Sequence, residues 1–566
     1  MAQAKVLMVF PRFNPGSFWN YRKTCELVGA KYPAAPLGLI TVAAMLPASW
    51  DVRLIDRNTG ELDDADIAWA DMVMTGGMLP QQFDTLTVID LAHRLGKPVV
   101  VGGPDATSSP HAYATADFRV LGEAEDILNR FVEVWEAGER SGTFVAEKFK
   151  VDVTTTPTPR FDLLNFPDYL HVGVQFSRGC PFMCEFCDII ELYGRKPRTK
   201  ASAQMLTELD ALFALGYRGH VDFVDDNLVG NKKALKAFLP DLIAWQKRNG
   251  YPFEFSSEAS INLADDPDLL EGLRQAKFFA FFVGIESPDP ETLKQMQKKQ
   301  NTRRSIAESI HKFYGAGMFV TAGFIVGFDN EKSGIASGIV QLIEDSAIPV
   351  AMAGLLYALP NTQLTRRLEM EGRLHPAHDV VNSTGLQGDQ CTAGLNFDTL
   401  RPRRDALDDY RDVVQQAYAP AAYFRRVRRA GLALVIKPPG GQIALRDLAR
   451  DLGRFVRLAL AFHREQPEIR REFWRTIREI AGKNPRALKP VISMMALYAH
   501  LGPFSQFVVA RISEQIDDID SGRWQKPQAI IPARMESPLI HVPLPRRGGS
   551  VLSLPHDGFG LQTDSQ

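Results

Sequence analysis

The chain has 566 residues, of which 45% are hydrophobic and 23% charged, a composition that excludes wholesale disorder, a collagen-like fibre and a disulfide-dense mini-protein. At roughly 150 residues per domain, this length predicts three or four domains. The net charge of −2, from 65 Lys and Arg against 67 Asp and Glu, argues against a general nucleic-acid binder, and we expect no nucleic-acid partner.

Residues 1–150 alternate short β runs with helical stretches such as Pro36–Leu46 and Phe83–Gly96. The first residues lack the charged-then-apolar layout of a signal peptide, so we expect a cytoplasmic protein. The βαβ order predicts a doubly wound α/β domain with ligands at the carboxyl ends of its parallel strands. The predicted strands are Lys5–Pro11, Asp51–Asp56, Met72–Gly77, Pro98–Pro104 and Phe118–Glu123.

The turns after these strands are the candidate binding positions of the first domain. Pro11–Trp19 follows the first strand and is not a G-x-G-x-x-G turn, so the dinucleotide fingerprint is missing. Polar or glycine-rich turns end three later strands, where glycine allows the backbone to approach a bulky ligand. Ordinary tight turns are the alternative for each one. The residues are Thr75, Gly76, Gly77, Gly102, Gly103 and Gly122.

A stretch rich in Thr and Pro, residues 151–168, predicts a linker, and a second βα series follows over residues 169–375. Six strands are too few for a closed eightfold barrel, so we predict an open, partial (β/α)6 barrel. The predicted strands are His171–Gly179, Gly219–Asp226, Pro252–Ser260, Phe279–Ser287, Met318–Phe328 and Ile348–Pro360.

Residues 376–520 show helical spacing, with apolar residues on one face and arginine on the other. Between Arg401 and Pro490 there are 21 Lys and Arg against 10 Asp and Glu, which suggests an anionic partner such as a phospholipid surface. A solvated helical surface is the alternative. The uncharged stretch Pro490–Ala510 predicts a buried helix pair, or else a helix in the membrane interface. Residues 521–566 hold six prolines and predict an extended or disordered tail.

Three of the five cysteines lie within eight residues, as C-x3-C-x2-C at Cys180, Cys184 and Cys187. Three close thiolates can hold three irons of a cubane cluster and leave the fourth iron open to a small molecule. A structural zinc site needs four closing ligands, and no fourth cysteine lies nearby. Cys25 and Cys391 fit as packing residues.

With its flanking residues, Ser177–Ile189, this motif resembles the radical S-adenosylmethionine (SAM) superfamily. The resemblance implies that the three cysteines hold a [4Fe-4S] cluster whose open iron chelates the amino and carboxylate groups of SAM. One electron from the reduced cluster then cleaves SAM to a 5′-deoxyadenosyl radical. Phe186 occupies the usual aromatic position before the third cysteine.

Other strand ends match positions that contact SAM in this superfamily. As bare chemistry, Asp225 and Asp226 also suit an acid–base pair or a helix N-cap. The usual Gly-Gly-Glu motif of the second strand is absent. The implied SAM contacts are Phe186, Asp225, Asp226, Asn227, Glu258, Glu286 and Gly323.

A flavodoxin-like domain ahead of the barrel resembles the cobalamin-binding class of this superfamily, which Pro36–Leu39 and Gly102–Thr107 also match. The resemblance implies that the six strand-end residues from Thr75 to Gly122 line a cobalamin site. The Asp-x-His-x-x-Gly motif is absent, and the domain has only His93 and His111, so we expect cobalamin without a histidine on cobalt. Five cysteines support a single cluster.

The resemblance implies the usual reaction of this class, which transfers a methyl group from methylcobalamin to an unactivated carbon. The chain looks most like the hopanoid C-2 methylase branch, which implies an apolar or lipid substrate and a reductase, flavodoxin or ferredoxin as electron donor. It also implies peripheral contact with the inner face of the membrane through the basic C-terminal domain. A methylase of tetrapyrroles or natural products, a radical oxidase or cyclase, and a non-enzymatic cobalamin or redox sensor are the alternatives.

Overall fold

The computed structural model describes residues 3–376, 390–437 and 445–526. The strands of residues 1–150 are β1 (Lys5–Phe10), β2 (Tyr32–Ala34), β3 (Asp51–Asp56), β4 (Met72–Gly76), β5 (Val99–Gly102), β6 (Phe118–Leu121) and β7 (Gly142–Val145). The N-terminal sheet is parallel, with the strand order β3-β1-β4-β5-β6-β7. All five residues of β4 are buried, as expected for a strand covered by helices on both faces. The helices are α1 (Arg22–Val28), α2 (Leu37–Met45), α3 (Asp64–Trp69), α4 (Gln82–Arg94), α5 (Gly103–Ser108) and α6 (Leu128–Glu136).

The doubly wound sheet and its five predicted strands are confirmed, but two short strands escaped the sequence pattern. β7 extends one edge of this sheet. β2 instead joins the second sheet, where Tyr32 pairs with Tyr169 and Ala34 with His171. Its Pro33 lacks a backbone donor, which an edge strand tolerates. The N-terminal domain therefore contributes a strand to the barrel.

The second sheet is an open, parallel half-barrel, and all six strands predicted for it are present. The strands after residue 150 are β8 (Tyr169–Val174), β9 (Ser177–Arg178), β10 (Arg198–Thr199), β11 (Gly219–Phe223), β12 (Phe253–Glu258), β13 (Phe278–Glu286), β14 (Phe319–Val326) and β15 (Val350–Leu355). The half-barrel has the order β15-β14-β13-β12-β11-β8-β2, while β9 and β10 form a separate antiparallel pair. The helices are α7 (Ile189–Leu192), α8 (Ser202–Ala214), α9 (Lys232–Arg248), α10 (Pro267–Ala276), α11 (Pro290–Gln295), α12 (Ile306–Gly315), α13 (Ile335–Asp345) and α14 (Gln363–Met370).

The C-terminal region is helical, as predicted. Its helices are α15 (Arg403–Ala417), α16 (Pro420–Ala433), α17 (Leu445–Arg464), α18 (Pro467–Lys483) and α19 (Leu488–Asp520). The predicted helix pair over Pro490–Ala510 is wrong, because α19 runs through Pro503 as one helix. Of the predicted tail, residues 527–566 lie outside the described residues.

Helix α19 is a core element of the C-terminal region. Counted from Pro485, it is the one helix in the described ranges that is long and apolar enough to cross a membrane, and 56% of its most apolar window is buried. The Tyr423 hydroxyl donates to the Met494 carbonyl oxygen at 2.6 Å, and the Thr24 hydroxyl donates to that of Ala496 at 3.0 Å. These contacts join α19 to α16 and to the N-terminal helix α1.

A buried ion-pair network joins the N-terminal sheet to the barrel. The Arg178 guanidinium, at the end of β9, lies 3.0 Å from the Glu123 carboxylate and 2.7 Å from that of Glu125. Arg198 lies 2.8 Å from the second Glu123 oxygen and donates to the Val151 carbonyl oxygen. Burial disfavours the charge of Glu125, but the charge and hydrogen bonds of Arg178 outweigh it and lower the pKa of Glu125.

We predict that Arg178→Met lowers the free energy of unfolding by about 3 kcal/mol, because two carboxylates that are only 5% exposed lose a shared partner. Arg160→Met is the matched control, since its pair with Asp162 is 41% and 47% exposed and is worth less than about 1 kcal/mol. Urea unfolding measures both. Equal losses in the two variants would show that the buried network does not tie the domains together.

Candidate active site

The cysteine loop begins at a glycine that no other residue can replace. Gly179 has φ of +94°, and a Cβ there would lie 2.8 Å from the Gly194 carbonyl oxygen. The Cys180 amide donates to that same oxygen at 3.2 Å, and the Cys187 amide donates to the Cys184 carbonyl oxygen at 3.2 Å. The chain therefore turns sharply after β9 and presents the three cysteines on one short loop.

The two acidic residues at the end of β11 hold this loop in place. The Asp225 carboxylate accepts hydrogen bonds from the Phe176 amide at 3.0 Å and from the Ser177 amide and hydroxyl at 2.5 Å. Asp226 accepts from the Gly179 amide at 2.9 Å. Burial raises the pKa of Asp225 to about 7, although these donors oppose the rise. Both Asp225 oxygens are engaged, so this side chain orients the loop. Its expected role as a SAM contact or acid–base group stays a prediction.

Two side-chain amides and one ammonium group lie near the thiols. The Asn227 side-chain amide lies 3.7 Å from Cys180 Sγ, and that of Gln300 lies 3.9 Å from Cys184 Sγ. Burial opposes the charge of Lys298, but the negative charges of Glu286, Cys184 and Cys187 outweigh burial and raise its pKa. Donors and positive charge near sulfur stabilise an electron-rich iron–sulfur cluster. No sequence motif marked Lys298 or Gln300, because they follow α11 and reach the loop only through the fold.

Glu286 ends β13 at an irregular point of the sheet. Its φ is +71°, and the pairing of β13 with β14 shifts between Gly284 and Glu286. Its carboxylate pairs with Lys298, and the Lys298 ammonium lies 5.8 Å from the centre of the Phe186 ring. A Cβ on Gly323 would lie 3.0 Å from the Phe282 ring. The fold thus gathers Glu286, Gly323 and Phe186 beside the cysteine loop.

Glu258 occupies the mouth of the half-barrel. Its side chain is open to the interior of the half-barrel. Protein atoms on the other sides displace water, which disfavours the charged carboxylate and raises its pKa to about 8. The surrounding protein is the main cause, and the nearby charges of Asp222 and Asp226 add to it. Below it, Ser256 donates to Asp222, and His220 Nε2 lies 2.6 Å from the Ser256 hydroxyl. This polar interior was not apparent from the sequence.

The glycines at the carboxyl edge of the N-terminal sheet serve close packing between strands. A Cβ on Gly76 would lie 2.2 Å from the Gly102 carbonyl oxygen, and one on Gly122 would lie 2.9 Å from Ala146 Cβ. The Thr75 hydroxyl donates to the Val9 carbonyl oxygen at 2.9 Å. Tight packing alone accounts for these residues, so they are not by themselves evidence of a ligand. Gly77, Gly102 and Gly103 lie at the same edge.

The loop between β1 and α1 runs from this edge to the barrel interior. The Asn14 amide donates to the Pro80 carbonyl oxygen at 3.1 Å. Farther along, the Trp19 ring lies 5.4 Å from the Phe282 ring, which borders Gly323. Phe18 contacts Phe504 of α19 with ring centres 6.1 Å apart. Phe18, Trp19, Phe282 and Phe504 therefore form an aromatic wall beside Gly323, one of the expected SAM contacts.

Comparisons with known proteins agree with this arrangement. The profile described as "Radical SAM superfamily" matches residues 174–334, "B12 binding domain" matches 27–132, and "Domain of unknown function (DUF4070)" matches 362–514. An uncharacterized methyltransferase of Synechocystis sp. is 43% identical over 526 residues, 92% of this chain and 96% of that protein. The chain belongs to the cobalamin-dependent radical SAM enzymes. Within that family it is a methyltransferase.

Other known proteins are similar to most of this chain. The hopanoid C-2 methylase of Rhodopseudomonas palustris is 37% identical over 75% of this chain and 78% of that protein. The cobalamin-dependent SAM radical enzyme OxsB superposes with a TM-score of 0.57 at 14% identity, covering 93% of this chain and 82% of that one. The methyltransferase TsrM of Kitasatospora setae has a TM-score of 0.57 at 15% identity, over 81% and 99%. At these identities the solved structures show a shared fold.

The donor set fits the [4Fe-4S] cluster of this family. Within the described ranges, no group of three or more His, Cys, Asp or Glu side chains is arranged to hold a single metal ion. A cubane instead takes one thiolate per iron, so Cys180, Cys184 and Cys187 need not converge on one point. Burial raises the pKa of Cys187 well above its usual range, so its thiolate requires a bound metal.

We predict that Glu258 contributes to the pH dependence of stability in this methyltransferase. Its folded-state pKa is raised from 4.5 to about 8, so the folded chain holds a proton that the unfolded chain releases. The stability from that proton is complete below about pH 4.5 and is lost as the pH rises toward 8. Between pH 6 and 9 the Tm of Glu258→Gln should therefore fall less than that of the wild type.

Scanning calorimetry of the cluster-loaded protein measures this difference. Glu133→Gln, an exposed change on α6, is the control and should follow the wild type at each pH. Parallel Tm curves for Glu258→Gln and the wild type would contradict the raised pKa.

Proposed function

We propose that this enzyme methylates an unactivated carbon of an apolar polycyclic lipid, with C-2 of a hopanoid as the first position to test. The alignment with the hopanoid C-2 methylase of Rhodopseudomonas palustris carries this proposal, since it extends over 428 residues at 37% identity. The bacteriochlorophyllide d C-12(1)-methyltransferase of Chlorobaculum tepidum is only 24% identical over 347 residues. A lipid is therefore favoured over a tetrapyrrole.

The aromatic wall also favours an apolar substrate. Trp19 and Phe282 are half-buried and in contact, and Phe282 borders Gly323, one of the proposed SAM contacts. Aromatic faces bury large apolar surfaces and offer a flat, rigid contact. We infer that a polycyclic hydrocarbon packs against this wall, which holds the reacting carbon in place and excludes water.

Residues of this chain position the cofactors, which supply a carbon-centred radical and a methyl group when bound. Asp225 and Asp226 fix the loop, while Asn227, Gln300 and Lys298 surround the cluster thiolates. We propose that Phe186, Glu286, Gly323, Asn227, Asp226 and Glu258 border SAM, and that the strand ends from Thr75 to Gly122 border cobalamin.

We also propose that cobalt has no histidine ligand from this chain. His93 Nε2 lies 2.8 Å from the Asp117 carboxylate, which also accepts from the Val99 amide. Asp117 precedes β6, and Val99 begins β5, so this pair lies at the amino edge of the sheet. The proposed cobalamin contacts lie at the carboxyl edge, on the other side of the domain.

We predict that the protein, reconstituted anaerobically with cluster, cobalamin, SAM and a strong chemical reductant, adds one methylene mass to an unmethylated hopanoid. Mass spectrometry should show 5′-deoxyadenosine and S-adenosylhomocysteine rising with the product. Cys184→Ala should lose all three, because the cluster loses a ligand. Cys25→Ala, a buried change on α1, is the matched control and should retain them.

Two outcomes separate the claims. SAM cleavage without a heavier lipid would overturn the hopanoid substrate and leave the radical chemistry intact. A methylated tetrapyrrole from a parallel incubation would favour the second substrate class.

We further propose that α17 contacts an anionic membrane. Leu452, Val456 and Leu460 recur every four residues and are 59%, 47% and 51% exposed. Arg457 and Arg464 are exposed on the adjacent face of the helix. An apolar stripe bordered by arginine is typical of helices that lie in a membrane interface. This surface is a route by which a lipid substrate reaches a peripheral enzyme.

Sedimentation with lipid vesicles tests this surface. Vesicles of phosphatidylglycerol and phosphatidylcholine should pellet the wild type, and replacing Leu452, Val456 and Leu460 by Glu should reduce the bound fraction at least fivefold. Met370→Glu, a change at another exposed apolar residue, should bind like the wild type. Equal binding of all three proteins, or a stripe that instead forms a dimer in light scattering, would contradict membrane contact.

A further inference from the structure

The outer side of the cysteine loop is covered by one short segment, residues 193–197. The Gly194 carbonyl oxygen accepts the hydrogen bond from the Cys180 amide at 3.2 Å. A Cβ on Gly179 would lie 3.1 Å from the Tyr193 carbonyl oxygen and 3.4 Å from that of Lys196. A single short segment therefore covers the first cluster ligand at this point, and its Arg195 and Lys196 are exposed.

The exposed part of this layer is basic around an apolar centre. The Phe149 ring packs on Gly194, with ring atoms 2.9 Å from the position of a Cβ there, and it remains 41% exposed. Phe149 has φ of +66°, so the turn holds its ring in this position against the usual backbone preference. The exposed charged residues around it are Glu147, Lys148, Lys150, Arg195 and Lys196.

This surface, which we call the cluster-loop patch, consists of residues 147–150 and 194–196. Its charges sum to +3, whereas the whole chain carries −2. The charged groups of Glu147 and Lys150 are 3.8 Å apart and both side chains are about two-thirds exposed, so the attraction between them is weak. The patch is thus a local positive surface on a nearly neutral protein.

We propose that the cluster-loop patch is the docking surface for an acidic one-electron carrier protein of the flavodoxin or ferredoxin type. Family membership requires that an electron reach the cluster from outside. The patch lies over Cys180, the first of the three expected cluster ligands, and complementary charge steers and orients such an encounter. A small apolar centre with a charged rim matches the small, transient interfaces of electron-transfer complexes.

The electron balance is simple. One electron leaves the reduced carrier and enters the cluster, whose charge changes from 2+ to 1+, while the carrier is oxidised by one electron. No bond forms or breaks, and no proton needs to cross this chain. The proposal rests on the family assignment and is independent of the lipid substrate.

Two electron sources test the proposal on the loaded full-length enzyme. The variant carries Lys148→Glu, Arg195→Glu and Lys196→Glu, and SAM cleavage is measured with a bacterial flavodoxin and its reductase, and separately with dithionite. We expect the rate to fall at least tenfold with flavodoxin and to stay unchanged with dithionite, which needs no docking surface. Phe149→Gly, which relieves the positive φ and removes the ring, should lower the flavodoxin rate in the same way.

A binding measurement gives a readout that does not depend on turnover. The Kd of oxidised flavodoxin for the wild type should rise with salt, and the triple variant should bind at least tenfold more weakly. The matched control reverses Lys233, Lys247 and Arg248, which are exposed on α9 at the outside of the barrel. It should behave like the wild type.

Three results would overturn the proposal. The first is an unchanged flavodoxin rate in the triple variant, and the second is an equal loss in the α9 control. The third is an equal loss with dithionite, which would indicate that the patch supports the cysteine loop rather than a partner.

Discussion

A network of ion pairs sets the geometry on which the site depends. In it, Arg178 pairs with Glu123 and Glu125, and Arg198 pairs with Glu123. Arg178 directly precedes Gly179 and Cys180, while Glu123 directly follows Gly122 at the carboxyl edge of the N-terminal sheet. The network therefore fixes the cysteine loop against that edge. Buried ion pairs contribute little net stability relative to apolar packing, so geometric specificity is its main consequence.

Around this junction, polar groups that look catalytic in the sequence serve to shape the loop. Asp225 and Asp226 accept hydrogen bonds from backbone amides of residues 176–179. Asn227 bridges Cys180 and Ser260, since its carbonyl oxygen accepts from the Ser260 amide at 3.0 Å. A cofactor-dependent enzyme needs a rigid frame more than it needs protein acids and bases, and these residues provide that frame.

Several C-terminal arginines are buried in ion pairs, so the number of charges in the sequence overstates the charge at the surface. Arg426 is fully buried and pairs with Glu344, and Arg428 is buried against Glu472 at 2.7 Å. These side chains hold α16 against α13 and α18. The positive surface is therefore smaller than the excess of 11 charges between Arg401 and Pro490 suggests. The arginines that remain exposed include Arg425 and Arg429 on α16 and Arg457 and Arg464 on α17.

The sequence by itself determined the cysteine motif, the order of the two βα series, all six predicted barrel strands and the helical C-terminal region. Such features depend on spacing and periodicity within a few dozen residues, which the printed sequence displays. It did not determine that β2 would leave its own domain for the barrel, because strand pairing between distant segments carries no local signal. The helix pair predicted for Pro490–Ala510 was wrong, because buried contacts along α19 outweigh the helix-breaking effect of Pro503.

Only the tertiary structure decided which groups meet at the site. Lys298 and Gln300 reach the cysteines across more than 110 residues of chain, and Phe149 packs on Gly194 from the end of the N-terminal domain. The glycines at the strand ends pack against neighbouring strands, a constraint visible only once the sheet is assembled. Local sequence specifies elements, whereas long-range packing and electrostatics specify neighbours, and the chemistry of a site depends on its neighbours.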